Sequence, residues 1–187
     1  MQTDNTQHHE PPVLAVVVPC FNEEAVVEET ASRLTAVLSE LIGNGAISPG
    51  SFVYFVDDGS RDGTWSLIAT IHRRDPRVKG LKLSRNFGHQ NALLAGLLAV
   101  KDRCGCAITI DADLQHDEQA IPHFVQRYRE GADLVFGVRN DRRGDSPLKK
   151  GTALVFYKLM QWMGVNIVKN HADYRLVGHK ALEALVT

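Results

Sequence analysis

Short apolar runs alternate with segments of helical period along most of this chain, and that alternation narrows the available folds more than any other feature. Val13 to Val18 reads Val-Leu-Ala-Val-Val-Val, with no polar position to face water. That is the pattern of a strand covered on both sides. Glu23 to Leu41 then places Val26, Val27, Leu34, Val37, Leu38 and Leu41 at helical spacing, until Gly43, Gly45 and Pro49-Gly50 break it. The cycle repeats, with strands predicted over Phe52–Val56, Val78–Leu83, Cys104–Ile110 and Asp133–Phe136. Between them, helices are predicted to open at Asp62–Thr64 and run to about Arg74, and to cover Gly88–Asp102 and Glu118–Glu130. Asp62 or Thr64 can cap the first of these. After a polar loop, Asn140–Asp145, come a helix over Pro147–Met163, a short strand over Asp173–Val177 and a last helix. Strands joined by helices form βαβ units, so the predicted class is α/β, with a mainly parallel sheet flanked by helices. Residues 1–12 read as a disordered polar tail, and a single domain is predicted over 13–187.

Composition removes several functional classes. With 21 Lys+Arg against 22 Asp+Glu, the chain lacks the charge of a protein that binds nucleic acid by a broad basic surface. Three cysteines, Cys20, Cys104 and Cys106, are too few and too irregular for a disulfide framework and read as a reduced, intracellular set. Cys104 and Cys106 flank a single glycine, which suits strand packing and not a redox or zinc pair. The longest apolar run, Ala92 to Val100, is about half of the ~20 residues a membrane-spanning helix needs. The chain stops at Ala-Leu-Val-Thr187 just as an apolar helical pattern begins, which reads as a cut inside a longer protein.

In open α/β sheets, ligands bind at the carboxyl ends of the strands. Here each of the first five predicted strands ends in a polar cluster: Pro19-Cys20-Phe21-Asn22-Glu23-Glu24, Asp57-Asp58-Gly59-Ser60-Arg61-Asp62-Gly63-Thr64, Ser84-Arg85-Asn86-Phe87-Gly88-His89, Asp111-Ala112-Asp113-Leu114-Gln115-His116 and Gly137-Val138-Arg139. Asp111 and Asp113 are two apart, so both carboxylates point to one side while the chain stays extended. Gln115 continues the period. Two carboxylates and an amide suit Mg²⁺ or Mn²⁺ bound together with substrate phosphates. The plainer reading is that the two aspartates cap the next helix, and His116 reads as a solvated loop residue. Asp58 can accept hydrogen bonds from a base or a ribose, while Ser60 and Asp62 also suit a turn and a helix cap. Neither a P-loop nor a G-x-G-x-x-G is present, so phosphates would be held by metal and basic side chains. The basic candidates are Arg85, Arg139, Arg142, Arg143, Lys149 and Lys150. A solvated face is the default for such a set, and an anion site for a second substrate is the functional reading.

Together these segments resemble the family 2 glycosyltransferases of the nucleotide-diphospho-sugar (GT-A) fold. The matching pieces are VVVPCFNEE, VDDGSRDGT, LSRNFGHQNALLAGL, IDADLQHDE, LVFGVR and ADYRL, which span about Val13 to Leu182. The closest likeness is to the polyprenyl-phosphate branch, the dolichol-phosphate mannose synthase and bactoprenol glucosyltransferase group. The resemblance implies an inverting transfer of a hexose from a UDP- or GDP-sugar to a polyprenyl phosphate at the cytoplasmic membrane face. By position it assigns Pro19, Phe21, Glu23, Val56 and Asp58 to the nucleoside. Asp111, Ala112 and Asp113 go to the sugar nucleotide, with Asp111, Asp113 and Gln115 on the metal. Arg139 goes to phosphate, Lys150 and Arg175 to the acceptor phosphate, and Asp173 to the acceptor side; Asp111, Asp113, Arg139 and Asp173 make up the implied catalytic set.

Two other activities compete. Many members that transfer to saccharide hydroxyls carry a Glu-Asp pair for the general base, and this sequence has no Glu-Asp dipeptide. A sugar-nucleotidyltransferase should show a Gly-rich, basic signature after its first strand, and Pro-Cys-Phe-Asn-Glu-Glu is not that.

Overall fold

The computed structural model describes residues 10–113, 117–138 and 171–184. Its strands are β1 (Leu14–Cys20), β2 (Phe52–Asp57), β3 (Val78–Lys82), β4 (Cys106–Thr109), β5 (Leu134–Val138) and β6 (His171–Gly178). The helices are α1 (Val27–Gly43), α2 (Thr64–Arg74), α3 (His89–Val100), α4 (Ile121–Arg129) and α5 (His179–Ala184). The six strands form one sheet of order β3-β2-β1-β4-β6-β5. β1 pairs in parallel with β2 and β4, and β3 pairs in parallel with β2. β6 runs antiparallel to both β4 and β5.

The continuous apolar run is explained by this position. β1 lies at the centre of the sheet and every one of its residues is buried. Leu14, Val16 and Val18 face a core shared with Leu34 and Leu38 of α1, Ile68 of α2 and Phe124 of α4. Ala15 and Val17 face the opposite core, with Ala92, Leu93 and Leu97 of α3 and Leu182 of α5. Each fully buried Val, Leu or Ile among them contributes about 1.5–3 kcal/mol. α3 approaches closely because Gly96 has no Cβ: one placed there would stand 2.5 Å from Val17 Cγ1 and 2.7 Å from Val56 Cγ2.

The departures from the sequence reading have local causes. α1 begins at Val27, not Glu23, because the backbone of 22–24 bonds across to the 60–64 segment. The helix predicted from Glu118 opens as a 3-10 turn and becomes α-helical at Ile121, with Pro122 in its first turn. The strand predicted at Asp173–Val177 is longer and reversed relative to its neighbour β4. Of the tail predicted over 1–12, residues 1–9 lie outside the described residues, as does the helix predicted over 147–163, while Pro12 O accepts the Ser48 N–H at 2.9 Å.

All three cysteines are free and buried. Burial pushes the Cys104 thiol up to about 11, against a weaker opposite pull from Arg103. Burial raises Cys20 and Cys106 further still. An unfolded cysteine titrates near 8.5, and the thiolate is the reactive form. At pH 8 the native protein is therefore expected to give no reaction with a disulfide reagent, and all three thiols should appear on adding urea. Rapid labelling of any one without denaturant would contradict this packing.

Candidate active site

The carboxyl ends of β1, β2 and β4 surround a cavity of about 460 Å³. It is lined by Pro19, Cys20, Phe21, Glu23, Asp58, Asn86, His89, Ala92, Asp111, Ala112 and Asp113. Sheet register brings these residues together: Cys20 is level with Asp57, and Val17 with Thr109, two residues before Asp111.

The loop after β1 is fastened to the loop after β2. Asn22 N–H donates to Ser60 Oγ at 2.9 Å, and Arg61 N–H donates back to Asn22 Oδ1 at 2.9 Å. Glu23 N–H donates to Thr64 Oγ1 at 2.9 Å, and Gly63 N–H to Glu24 Oε2 at 2.6 Å. Asn22 holds a positive φ of 58°, which asparagine tolerates better than most residues. Asp62 serves both loops, accepting from Thr64 N–H at the start of α2 and from Glu24 N–H. The cap position itself is Gly63, which has no side chain to offer, so Asp62 serves the start of α2 from one position earlier while also bracing the first loop.

Asp58 has a structural role the sequence did not reveal. It is only 3% exposed. Its oxygens accept the backbone N–H of Phe87 at 2.8 Å and of Gly88 at 2.9 Å. Asp58 thus secures the loop that carries Asn86 and His89 into the cavity wall, while still lining the cavity itself. An asparagine could accept only one of these N–H groups and would turn its own NH₂ toward the other. Asp58→Asn is expected to cost about 3 kcal/mol, read as a lower urea midpoint at unchanged slope.

The Asp111–Asp113 segment is held from both sides. Thr30 Oγ1 of α1 donates to Ala112 O at 2.8 Å. Tyr174 of β6, buried and packed on Phe124, donates its hydroxyl to Asp117 O at 3.0 Å. Arg33 of α1 reaches Glu118 at 2.9 Å. His89 Nε2 lies 3.5 Å from Asp111 Oδ1. The Glu23 carboxyl is raised above the ordinary glutamate range, first by burial, then by the charges of Asp113 and Asp62. Asp57, beside this cluster, is fully buried: Oδ1 accepts Ser60 N–H at 3.0 Å, and Oδ2 has no hydrogen-bond partner among the described residues.

Of the residues assigned from sequence, Pro19, Phe21, Glu23, Asp58, Asp111, Ala112 and Asp113 meet in this one cavity. Val56 does not line it; its side chain is fully buried against α3. Arg175 sits in β6 level with Thr109, and Asp173 lies in the same strand. Gln115, His116, Arg139, Arg142, Arg143, Lys149 and Lys150 lie outside the described residues. Arg85 is exposed, with its guanidinium 4.3 Å from the Phe87 ring centre. Asn86 and His89 received no site role from sequence, although their place after β3 was the available signal.

The donor set fits a divalent cation shared with a substrate. Asp111 and Asp113 offer hard oxygens, and no group of three His, Cys, Asp or Glu converges among the described residues to make an all-protein cage. Hard cations that keep ligand positions open for phosphate oxygens use such sparse sets.

No helix among the described residues is long and apolar enough to cross a membrane. Residues 15–186 match the family model for glycosyl transferase family 2. The chain is 51% identical over 174 residues to the uncharacterized glycosyltransferase YkoT of Bacillus subtilis, covering 93% of this chain and 52% of that protein. It is 36% identical over 172 residues to the bactoprenol glucosyl transferase of Shigella phage SfV, covering 91% of this chain and 53% of the relative. It therefore spans about half the length of the curated relatives it matches. Among solved structures, the mannosyltransferase PcManGT of Pyrobaculum calidifontis, in complex with GDP-Man and Mn²⁺, superposes with a TM-score of 0.61 at 19% identity, over 94% of this chain and 47% of that one. The family match, the strand order and the cavity at the strand ends agree: the chain belongs to glycosyl transferase family 2 and has the GT-A fold.

Proposed function

We propose that the chain transfers a hexose from a nucleoside-diphosphate sugar to a polyprenyl phosphate at the cytoplasmic face of a membrane, with Mg²⁺ or Mn²⁺. One observation carries the donor side. Among the described residues, Glu23, Asp58, Asp111 and Asp113 line a single cavity whose one basic lining group is His89. Such a cavity repels a diphosphate unless a cation stands between them. Asp111 and Asp113, with Gln115 assigned by resemblance, would hold the cation. A bound divalent cation would neutralise the departing diphosphate as a Lewis acid. Phe21, 39% exposed at the cavity lip, offers a face for the base. Arg139, Lys150 and Arg175 are assigned to phosphate groups.

The acceptor reading rests on the bactoprenol glucosyl transferases at 36% identity and on the absence of a Glu-Asp dipeptide. A phosphate acceptor is already anionic near neutral pH and needs no general base. Its oxygen would attack the anomeric carbon in line with the diphosphate. The bond to the diphosphate breaks, the nucleoside diphosphate leaves, and configuration inverts.

The test is transfer of label from UDP-[¹⁴C]glucose and GDP-[¹⁴C]mannose to undecaprenyl phosphate, followed by solvent extraction. Cation-dependent, organic-extractable label with release of nucleoside diphosphate is expected. Label confined to water-soluble saccharide would move the acceptor to a sugar hydroxyl, and release of pyrophosphate would remove the transferase reading.

A further inference from the structure

α3 is out of keeping with the other described helices. From His89 to Val100 it contains no Asp, Glu, Lys or Arg. Its first turn, His89-Gln90-Asn91, is polar and exposed; from Ala92 on it is apolar on all sides, and such a helix is ordinarily enclosed. α3 is enclosed on one side only, through Ala92, Leu93, Gly96, Leu97 and Val100. On the other side Leu94 and Leu98, one turn apart, are each 40% exposed, and Phe87 just before the helix is 42% exposed. The outer face of α1 is the contrast: Glu28, Glu29, Ser32, Arg33 and Glu40 are all exposed there. The uncharged stripe runs about 18 Å along the helix, and it starts at the cavity, since Asn86 and His89 line that cavity on either side of Phe87.

Both ends of the stripe are basic. Arg85 stacks on Phe87 at its start, and Lys101 and Arg103 follow its end. Asp102, between them, is 2.9 Å from Lys101. This charge pattern chooses between occupants. A second copy packed antiparallel would set Arg85 against the Lys101-Asp102-Arg103 triplet, which carries a net positive charge with Asp102 paired to Lys101, and one packed parallel would set each cation beside its own equivalent. Like charges meet in both arrangements. An anionic lipid surface satisfies both ends at once, with leucine and phenylalanine at the acyl boundary and cations at the headgroups.

We propose that the Phe87–Leu94–Leu98 face of α3 docks on an anionic lipid bilayer, with Arg85 at one end and Lys101 and Arg103 at the other among the headgroups. The choice of a lipid occupant rests on the polyprenyl-phosphate reading above. The docked orientation holds the cavity mouth beside the surface from which a lipid-linked phosphate would arrive. Three partly exposed apolar side chains make a reversible contact that needs the charges as well.

The test is co-sedimentation of the 187-residue chain with vesicles of phosphatidylcholine alone or mixed with phosphatidylglycerol. Binding to the anionic vesicles is expected, and it should weaken as salt is raised. Leu94→Gln with Leu98→Gln should lower the partition coefficient about ten-fold, with the melting temperature and the calorimetric titration of a nucleoside-diphosphate sugar unchanged. Should that variant fold poorly, Leu98→Trp replaces it, and its emission, taken as the difference from the wild-type chain with Trp65 and Trp162, should shift to the blue when anionic vesicles are added. Equal vesicle binding by the folded glutamine variant overturns the proposal, as does wild-type chain that ignores anionic vesicles. So does a tryptophan already blue-shifted and unmoved by lipid, or a concentration-dependent dimer abolished by the same substitutions, since protein would then cover the face. The sugar-nucleotide titration needs no vesicles, so failure of the transferase reading shows there independently.

Discussion

Alanine at position 59 is expected to remove about 3 kcal/mol of stability and, with it, the shape of the donor cavity. Gly59 holds φ of +70°, and a Cβ there would stand 2.4 Å from the carbonyl carbon of Arg85 and 2.7 Å from both Arg85 Cα and Asn86 N. All three are backbone atoms, so no side chain can swing aside. The left-handed conformation accounts for about 1–2 kcal/mol and the collision for the rest. Gly45 is the internal control: its φ is +72° and nothing lies within 4 Å of the added atom. Gly45→Ala should therefore show the conformational cost alone. For a domain of this size the Gly59 variant should melt roughly 10 °C lower, and the Gly45 variant about a third to two thirds of that. Equal losses would mean that contact between the two loops is not what position 59 protects. Because Asn86 and His89 stand on the displaced segment, sugar-nucleotide affinity should fall for Gly59→Ala and stay unchanged for Gly45→Ala.

Asp113→Asn is the second large effect, and it separates function from stability. Removing one of the two carboxylates that would anchor the cation is expected to lower transfer roughly 100- to 1,000-fold. The fold should not suffer. Asp113 is exposed, and its charge helps to hold the Glu23 carboxyl above its usual range, second to burial. An acid whose folded pKa is raised makes the folded state less stable as pH climbs through that value, because the ionised form is disfavoured there. The variant should bring Glu23 back toward the ordinary glutamate range of about 4.3, followed by NMR titration of its side chain. Any stability gain should appear above that pH and vanish below it. A variant that keeps full cation-dependent transfer would remove Asp113 from the metal site, and one that lowers the melting temperature would show a structural role for the carboxylate.

Much of this was legible in the residues because local period reports burial. Val13–Val18 has no polar position, and β1 proved to be the central strand covered on both faces. Asp111 and Asp113 both line the cavity, but β4 ends at Thr109 and residues 112–113 form a turn, so their place just after a strand was the useful signal and not an extended period of two. Period could not show direction. The ADYRL strand reads equally well either way along the sheet, and it entered antiparallel. Nor could it show which groups a side chain would meet. Tyr174 was simply an aromatic in a strand until its hydroxyl was found on Asp117 O. Val56 matched a nucleoside position by resemblance, yet its side chain belongs to the contact with α3.

By itself the sequence determined the α/β class, the order of strands and helices, and the gathering of acids at one sheet edge, since each follows from spacing within a few residues. Tertiary structure alone decided that Asp58 holds Phe87 and Gly88, that Gly59 lies against Arg85, and that α3 presents Leu94 and Leu98 outward. The physical reason is range. Hydrogen bonds and close contacts depend on distance in space, and residues about thirty positions apart come within 3 Å only after two strands have paired and the loops between them have closed.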